Sequence, residues 1–173
     1  DMRNQCVRLE AAWAGLDNVS AAKKKILADA ELDPTLDYGE RLIAAGITGN
    51  TKYKTQISAF EEIIVGASDI ANEVGNTKIS DPMASHQWSD VESPHSWNSV
   101  EDFTDNIRSV RNAYYGSLDG TISANSLSAY MAKVNSTADK KVKDCIENAI
   151  NKITAMPTPF RNYISETSGA NYP

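Results

Sequence analysis

Apolar residues recur every three or four positions along most of the chain, and no stretch alternates with a two-residue period between hairpin turns. The clearest stripe runs from Lys54 to Val74, where Ile57, Phe60, Ile64, Ala67, Ala71 and Val74 share one face. Ile63 and Ile70 widen it, Glu62, Asp69 and Glu73 face the other way, and Gly75 reads as the stop. Glu61 sits at the stripe's edge, either as an inward carboxylate or as an exposed flank. A second helix is predicted from Ser99 to Tyr115, with Val100, Phe103, Ile107, Val110 and Tyr114 in step. Ser99 suits the N-cap, Asp102 the acidic partner three residues on, and Gly116 a left-handed close.

The remaining segments follow the same rhythm. Residues 2–16 place Met2, Cys6, Leu9, Trp13 and Leu16 on one face. Residues 18–32 form an alanine-rich segment whose Lys23–Lys25 run reads as a solvated face. Asp33-Pro34 signals a further helix start, with Gly46 as its end. Beyond the Asp119-Gly120 turn, one helix carries Ile122, Leu127, Tyr130, Met131 and Val134. The next carries Val142, Cys145, Ile146, Ala149, Ile150, Ile153 and Met156, and Pro157 and Pro159 stop it. Roughly five to seven amphipathic helices with short connections predict an all-α, antiparallel helical bundle. The 173 residues fit one domain, 1–173, with a central loop over 76–98 and a tail over 157–173.

Composition narrows the function classes. A formal charge of -6 and a pI near 4.9 argue against a general nucleic-acid or anionic-membrane surface. No apolar run approaches the roughly 20 residues of a membrane span. The chain opens at Asp1 inside what reads as a helix, so it is expected to be a mature piece or a fragment. Cys6 and Cys145 fall on apolar stripes, which leaves two readings: buried small hydrophobes, or one disulfide between the first and last helices. No GxSxG, CxxC or glycine-rich phosphate loop occurs.

Candidate chemistry gathers in the central loop and the helix after it. His86, Asp90, Glu92 and His95 fall within ten positions, and two imidazoles with two carboxylates are the donor set of a transition metal. The bland alternative is a surface loop pinned by Trp88 and Trp97. Glu92 precedes Ser93-Pro94, and proline favours extended backbone at Ser93. Glu92 then either points into a site or takes hydrogen bonds that fix the loop. Asp102, Asn106 and Ser109 line up at i, i+4 and i+7, as an inter-helix network or as one wall of a cleft.

The run VESPHSWNSVEDFTDNIRSVRNAYYG resembles the second half of imelysin-like proteins, and FEEIIVGASDIANEVGNTKI resembles the segment before it. The resemblance implies half of a duplicated two-bundle architecture in a bacterial protein exported to the periplasm or outer surface. That family includes metallopeptidases and proteins linked to iron uptake. Its diagnostic GxHxxE motif has no counterpart here: Gln87, Trp88 and Ser89 follow His86, and Ser96, Trp97 and Asn98 follow His95. The resemblance therefore implies a partner, the first bundle of the same protein, supplying that histidine and glutamate. A divalent metal, zinc or iron, would belong to the complete protein. From this half, Glu92, Asp102 and Asn106 are the residues expected to face the cleft, with His86, Asp90 and His95 as weaker metal candidates. No catalytic residue is assigned. The leading expectation is a metal- or ligand-binding module of the cell envelope, and the alternative is half of a metal-dependent peptidase.

Overall fold

A computed structural model describes residues 1–33 and 37–164. Among them every regular element is helical. Packing divides the chain into two compact units, Asp1–Glu62 and Ile63–Pro173, where the sequence predicts one. Each unit has hydrophobic clusters of its own.

The first unit holds α1 (Met2–Ala14), α2 (Ala21–Asp29), α3 (Tyr38–Ile43) and the start of α4 (Gln56–Asn72). Asp1 caps α1 by accepting from the Arg3 amide, and Ser20 caps α2 by accepting from Lys23. Pro34, read as a helix start, lies outside the described residues. The face of α1 that turns inward is not the large apolar one. Val7, Ala11 and Ala12 are buried, whereas Met2, Leu9 and Trp13 are more than half exposed. The reason is a close crossing by α3: a Cβ placed on Gly39 would come within 1.9 Å of the Trp13 carbonyl oxygen. Only glycine at position 39 permits that approach. Cys6 is correspondingly an exposed free thiol. Each lysine of the 23–25 run has an acidic partner: Glu10 for Lys23, Asp17 for Lys24 and Asp29 for Lys25.

The second unit holds the rest of α4, a π-helix (Glu73–Ser80), α5 (Asp81–Ser85), α6 (Ser99–Tyr115), α7 (Leu127–Val134) and α8 (Ser136–Thr154). A short 3-10 turn, Phe160–Asn162, follows. Its core joins Phe103 and Ile107 of α6 to Ile146, Ile150 and Ile153 of α8, with Val74, Val91, Phe160 and Ile164 around them. Phe103 is wholly buried and meets Phe160 edge-on, centroids 5.5 Å apart at 84°. α7 and α8 are joined by Asn135 alone, whose side chain caps α8, and α7 packs back against α8. The fully buried residue of α7 is a serine, Ser128, while Tyr130 and Val134 are exposed.

Three sequence expectations fail in this unit. Gly75 does not stop the helix; the backbone continues as a π-helix to Ser80 and then as α5, so the central loop begins near His86 rather than at 76. The α4 stripe is not buried along its length, because Ile57 and Ile64 are more than half exposed. Cys145 is an exposed free thiol, so neither cysteine is buried and neither is paired. No helix among the described residues is long and apolar enough to cross a membrane.

Candidate functional site

The loop from His86 to Asn98 is held by polar contacts to the helices on either side of it. The π-helix brings Lys78 inward, with only 16% of its side chain exposed. Its Nζ donates to Glu92 Oε1 at 3.2 Å and to Asn106 Oδ1 at 2.8 Å, and lies 3.0 Å from Glu92 Oε2. Glu73 stands 3.8 Å off on the exposed side. A π-helix widens the turn by one residue and is rare outside sites where the wider turn redirects a side chain. Here the redirected side chain is Lys78. Sequence reading missed it because Gly75 signals a stop just before.

Asp102 takes the next pair of contacts. Ser93 Oγ donates to its Oδ2 at 2.6 Å, and Asn98 Nδ2 donates to its Oδ1 at 3.0 Å. The cap of α6 is therefore Asn98, one residue earlier than predicted, and the buried Ser99 donates its hydroxyl to the Glu92 carbonyl. Ser93 is left-handed, with φ of 57°, against the extended geometry that Pro94 favours. The Asp102 bond and the Trp97 amide, which donates to the Ser93 carbonyl at 3.1 Å, hold it there. His86 and Trp97 also have positive φ, so three of the four such non-glycine residues among those described lie in this loop. Strained backbone of this kind persists only where the surroundings over-determine it.

Arg161, 67 residues further along the chain, closes the arrangement. Its guanidinium donates to the Pro94 carbonyl at 2.8 Å and lies 5.0 Å from the Trp97 ring and 6.0 Å from that of Trp88. Trp88 packs on the core, as expected; Trp97 is 58% exposed and is held by the arginine rather than by the core. No local spacing reveals this arginine, since its partners are distant in sequence.

The structure thus brings Glu92 and Asn106 together on Lys78, and places Asp102 on the loop it shapes. Ser109, the third member of the predicted strip, turns back to donate to the Asn106 carbonyl. The weaker metal candidates do not converge. His86 Nδ1 lies 2.7 Å from the Ile164 carbonyl oxygen, His95 stands edge-on to Trp88 at 5.7 Å, and Asp90 is exposed beside Ser89. Among the described residues, no three His, Cys, Asp or Glu side chains gather where one ion could be held. The carboxylate best placed for a cation, Glu92, already has the Lys78 ammonium against it. A metal does not fit the described residues of this chain alone.

The Lys78–Glu92 pair should couple modestly. Glu92 is 40% exposed, which screens the pair, so a double-mutant cycle with Lys78→Met and Glu92→Gln should return about 1 kcal/mol. Urea denaturation of the four proteins measures it. A coupling indistinguishable from zero would mean that the loop is held by the Asp102 and Arg161 contacts without this pair.

Comparison with known proteins gives the family. The imelysin family model matches residues 2–171. The chain belongs to the imelysin family. A solved imelysin peptidase from Bacteroides ovatus is similar over 95% of this chain, at 35% identity and a TM-score of 0.73. A protein of Parabacteroides distasonis described as an iron-regulated protein A precursor is similar over 92%, at 27% identity and a TM-score of 0.57. The chain spans 43% and 45% of the lengths of these two imelysin relatives. None of the curated proteins matches it significantly.

Proposed function

We propose that this chain is one bundle of an exported imelysin-like protein of the bacterial periplasm or outer surface. In this reading it is a non-catalytic module that helps hold a metal ion or ligand for iron uptake. The observation that carries the reading is the use made of Glu92. Its charge is matched by Lys78 and its backbone carbonyl is bonded by Ser99, so it positions the loop instead of standing ready to activate water. The similarity to an iron-regulated protein A precursor supports the link to iron. Because both relatives are more than twice as long, the metal ligands are assigned to the first bundle, together with the GxHxxE histidine and glutamate that the resemblance implies.

That first bundle is also the proposed partner. The second unit carries an apolar groove of about 470 Å³ between the exposed side of α4 and α6, α7 and α8, lined by Ile64, Ala67, Val110, Met131 and Val142 among others. Apolar surface of this kind is a candidate for coverage by another helical layer. The similarity to an imelysin peptidase favours a second reading, in which the two bundles together form a metal-dependent peptidase.

One experiment separates the readings: the metal content of the longer protein containing both bundles, before and after chelator, with a peptide-cleavage assay alongside. The binding-module reading expects stoichiometric metal in the longer protein, none in this chain alone, and no cleavage. Cleavage that chelator abolishes and metal restores would establish the peptidase. Tight stoichiometric metal on this chain alone would overturn the assignment of the ligands to the first bundle.

A further inference from the structure

The first unit contains a recess of about 460 Å³, lined by Trp13, Tyr38, Arg41, Lys52, Tyr53 and Glu62. Its volume is in the range of small-molecule sites. Trp13, at the end of α1, and Tyr38, at the start of α3, form an open aromatic pair with centroids 5.9 Å apart and planes tilted by 55°. Both rings reach solvent, at 53% and 39% exposure. The third aromatic, Tyr53, is only 8% exposed, with the Lys52 ammonium 5.5 Å above its ring. The pair is set by the backbone: Gly39, next to Tyr38, permits the crossing at the Trp13 carbonyl.

The polar groups around these rings are paired and balanced. Arg41 binds Asp37 at 2.5 Å, and Lys52 binds Glu62 at 3.1 Å. Burial first, then the Glu62 carboxylate beside it, pushes the Tyr53 phenol above the ordinary range, so it remains a donor. Two cations and two carboxylates cancel, which gives no net attraction to a charged ligand. What remains is a dense set of donors (Arg41, Lys52) and an acceptor (Glu62) rimming exposed aromatic faces. A ligand that fits needs flat C–H surfaces for the rings and groups that both donate and accept. Sugar hydroxyls do both. A proline-rich peptide would also use the rings, but it offers acceptors with few donors and would leave Glu62 without a new partner.

We propose that this recess is a saccharide subsite that takes a neutral sugar unit, stacked on Trp13 and Tyr38 and hydrogen-bonded by Arg41, Lys52 and Glu62. The inference does not depend on the iron-uptake reading, since the recess lies in the other unit and uses none of the residues around Lys78, Glu92 and Asp102.

The test follows the indole N–H signals of the three tryptophans by NMR while the chain is titrated separately with neutral gluco-, xylo-, manno- and chito-oligosaccharides. A sulfated oligosaccharide and a proline-rich peptide serve as competing probes. The expected result is that at least one neutral oligosaccharide moves the Trp13 signal and leaves the equally exposed Trp97 in place. By calorimetry, Trp13→Ala and Tyr38→Ala should each weaken that binding by about tenfold, the value of one aromatic stacking contact. Glu62→Gln, an exposed change that leaves the fold intact, should weaken it measurably. Circular dichroism of each variant verifies folding. The proposal is overturned if no neutral oligosaccharide moves Trp13, if the sulfated sugar or the peptide binds in preference, or if folded Tyr38→Ala and Glu62→Gln both bind like the parent.

Discussion

Phe103→Ala should cost the second unit about 3–5 kcal/mol, the largest loss expected from any single truncation of its core. Phe103 has no exposed surface, stands edge-on to Phe160 and joins the packed faces of α6 and α8. Removing its ring forfeits the transfer free energy of the side chain and leaves a cavity between helices that already pack closely. Chemical denaturation followed by near-UV signals of Trp88 and Trp97 gives the size of the effect. Hydrogen exchange gives its place, with amides of α6 and α8 losing protection while those of α1 and α2, built on the separate Val7, Ala11, Val19 and Leu27 cluster, keep theirs. Ile64→Ala is the informative control. Ile64 belongs to the most regular stripe in the sequence, yet it is 54% exposed, so its truncation should shift stability by less than about 0.5 kcal/mol. Equal losses in the two variants would mean that α4 is covered in solution by something that buries its stripe.

That contrast shows what periodicity conveys. A stripe identifies which side of a helix is apolar, and on α6 and α8 that is also the side that packs: Val100, Phe103 and Ile107 meet Ile146, Ile150 and Ile153. On α4 the same rhythm leads to a face left largely in solvent, because burial requires an opposing element, and periodicity carries no information about one. α1 departs from the pattern for another reason. Its inward side is chosen by the approach of Gly39, which favours Ala11 and Ala12 over Leu9 and Trp13. α7 buries a serine because Asp139 lies across from it.

The site was legible as residue types and not as contacts. The sequence marks Glu92, Asp102 and Asn106 as polar candidates, and for the Asp102–Asn106 strip it leaves open an inter-helix network or one wall of a cleft. Their partners could not be read. Lys78 reaches Glu92 and Asn106 from a π-helix that runs from Glu73 through Gly75 to Ser80, where the sequence signals a stop. Ser93 inverts the backbone preference imposed by Pro94 because Asp102 and the Trp97 amide stabilise the inverted form. Arg161 is tied to the loop across 67 positions. The metal candidates illustrate the opposite error, since closeness in sequence put His86, Asp90 and His95 in one set while the loop turns them to three different neighbours.

Asp139→Ala should lose on the order of 3 kcal/mol and should change how the second unit responds to acid. The Asp139 carboxylate is 2% exposed. It accepts from Ser128 at 2.7 Å and from Tyr114 at 3.1 Å, while Lys143 lies 2.6 Å from its other oxygen. One side chain thus ties α6 and α7 to α8. Truncation leaves the buried Ser128 hydroxyl and the half-buried Tyr114 hydroxyl without that acceptor. Asp139→Asn keeps an acceptor for both and should cost less, because Lys143, partly exposed, can turn to water. Lys143 first, then Ser128, holds the Asp139 pKa below the ordinary carboxylate value. A folded value below the unfolded one gives stability that is present above the unfolded pKa, about 3.9, and lost as pH falls through the folded value. The parent should therefore lose stability below about pH 4, and both variants should lack that part of the acid limb. At the other extreme, burial and then the Asp139 bond raise the Tyr114 phenol to about 12. Its contribution is present below the unfolded value near 10 and is lost as pH rises towards 12, and Asp139→Asn should narrow that window by removing the carboxylate's charge. Denaturant midpoints measured across both limbs for the parent and the two variants test the assignment. Parallel profiles in all three proteins would mean that the Asp139 carboxyl titrates alike in the folded and the unfolded chain, so that its pairing with Lys143 adds nothing to the network that joins α6, α7 and α8.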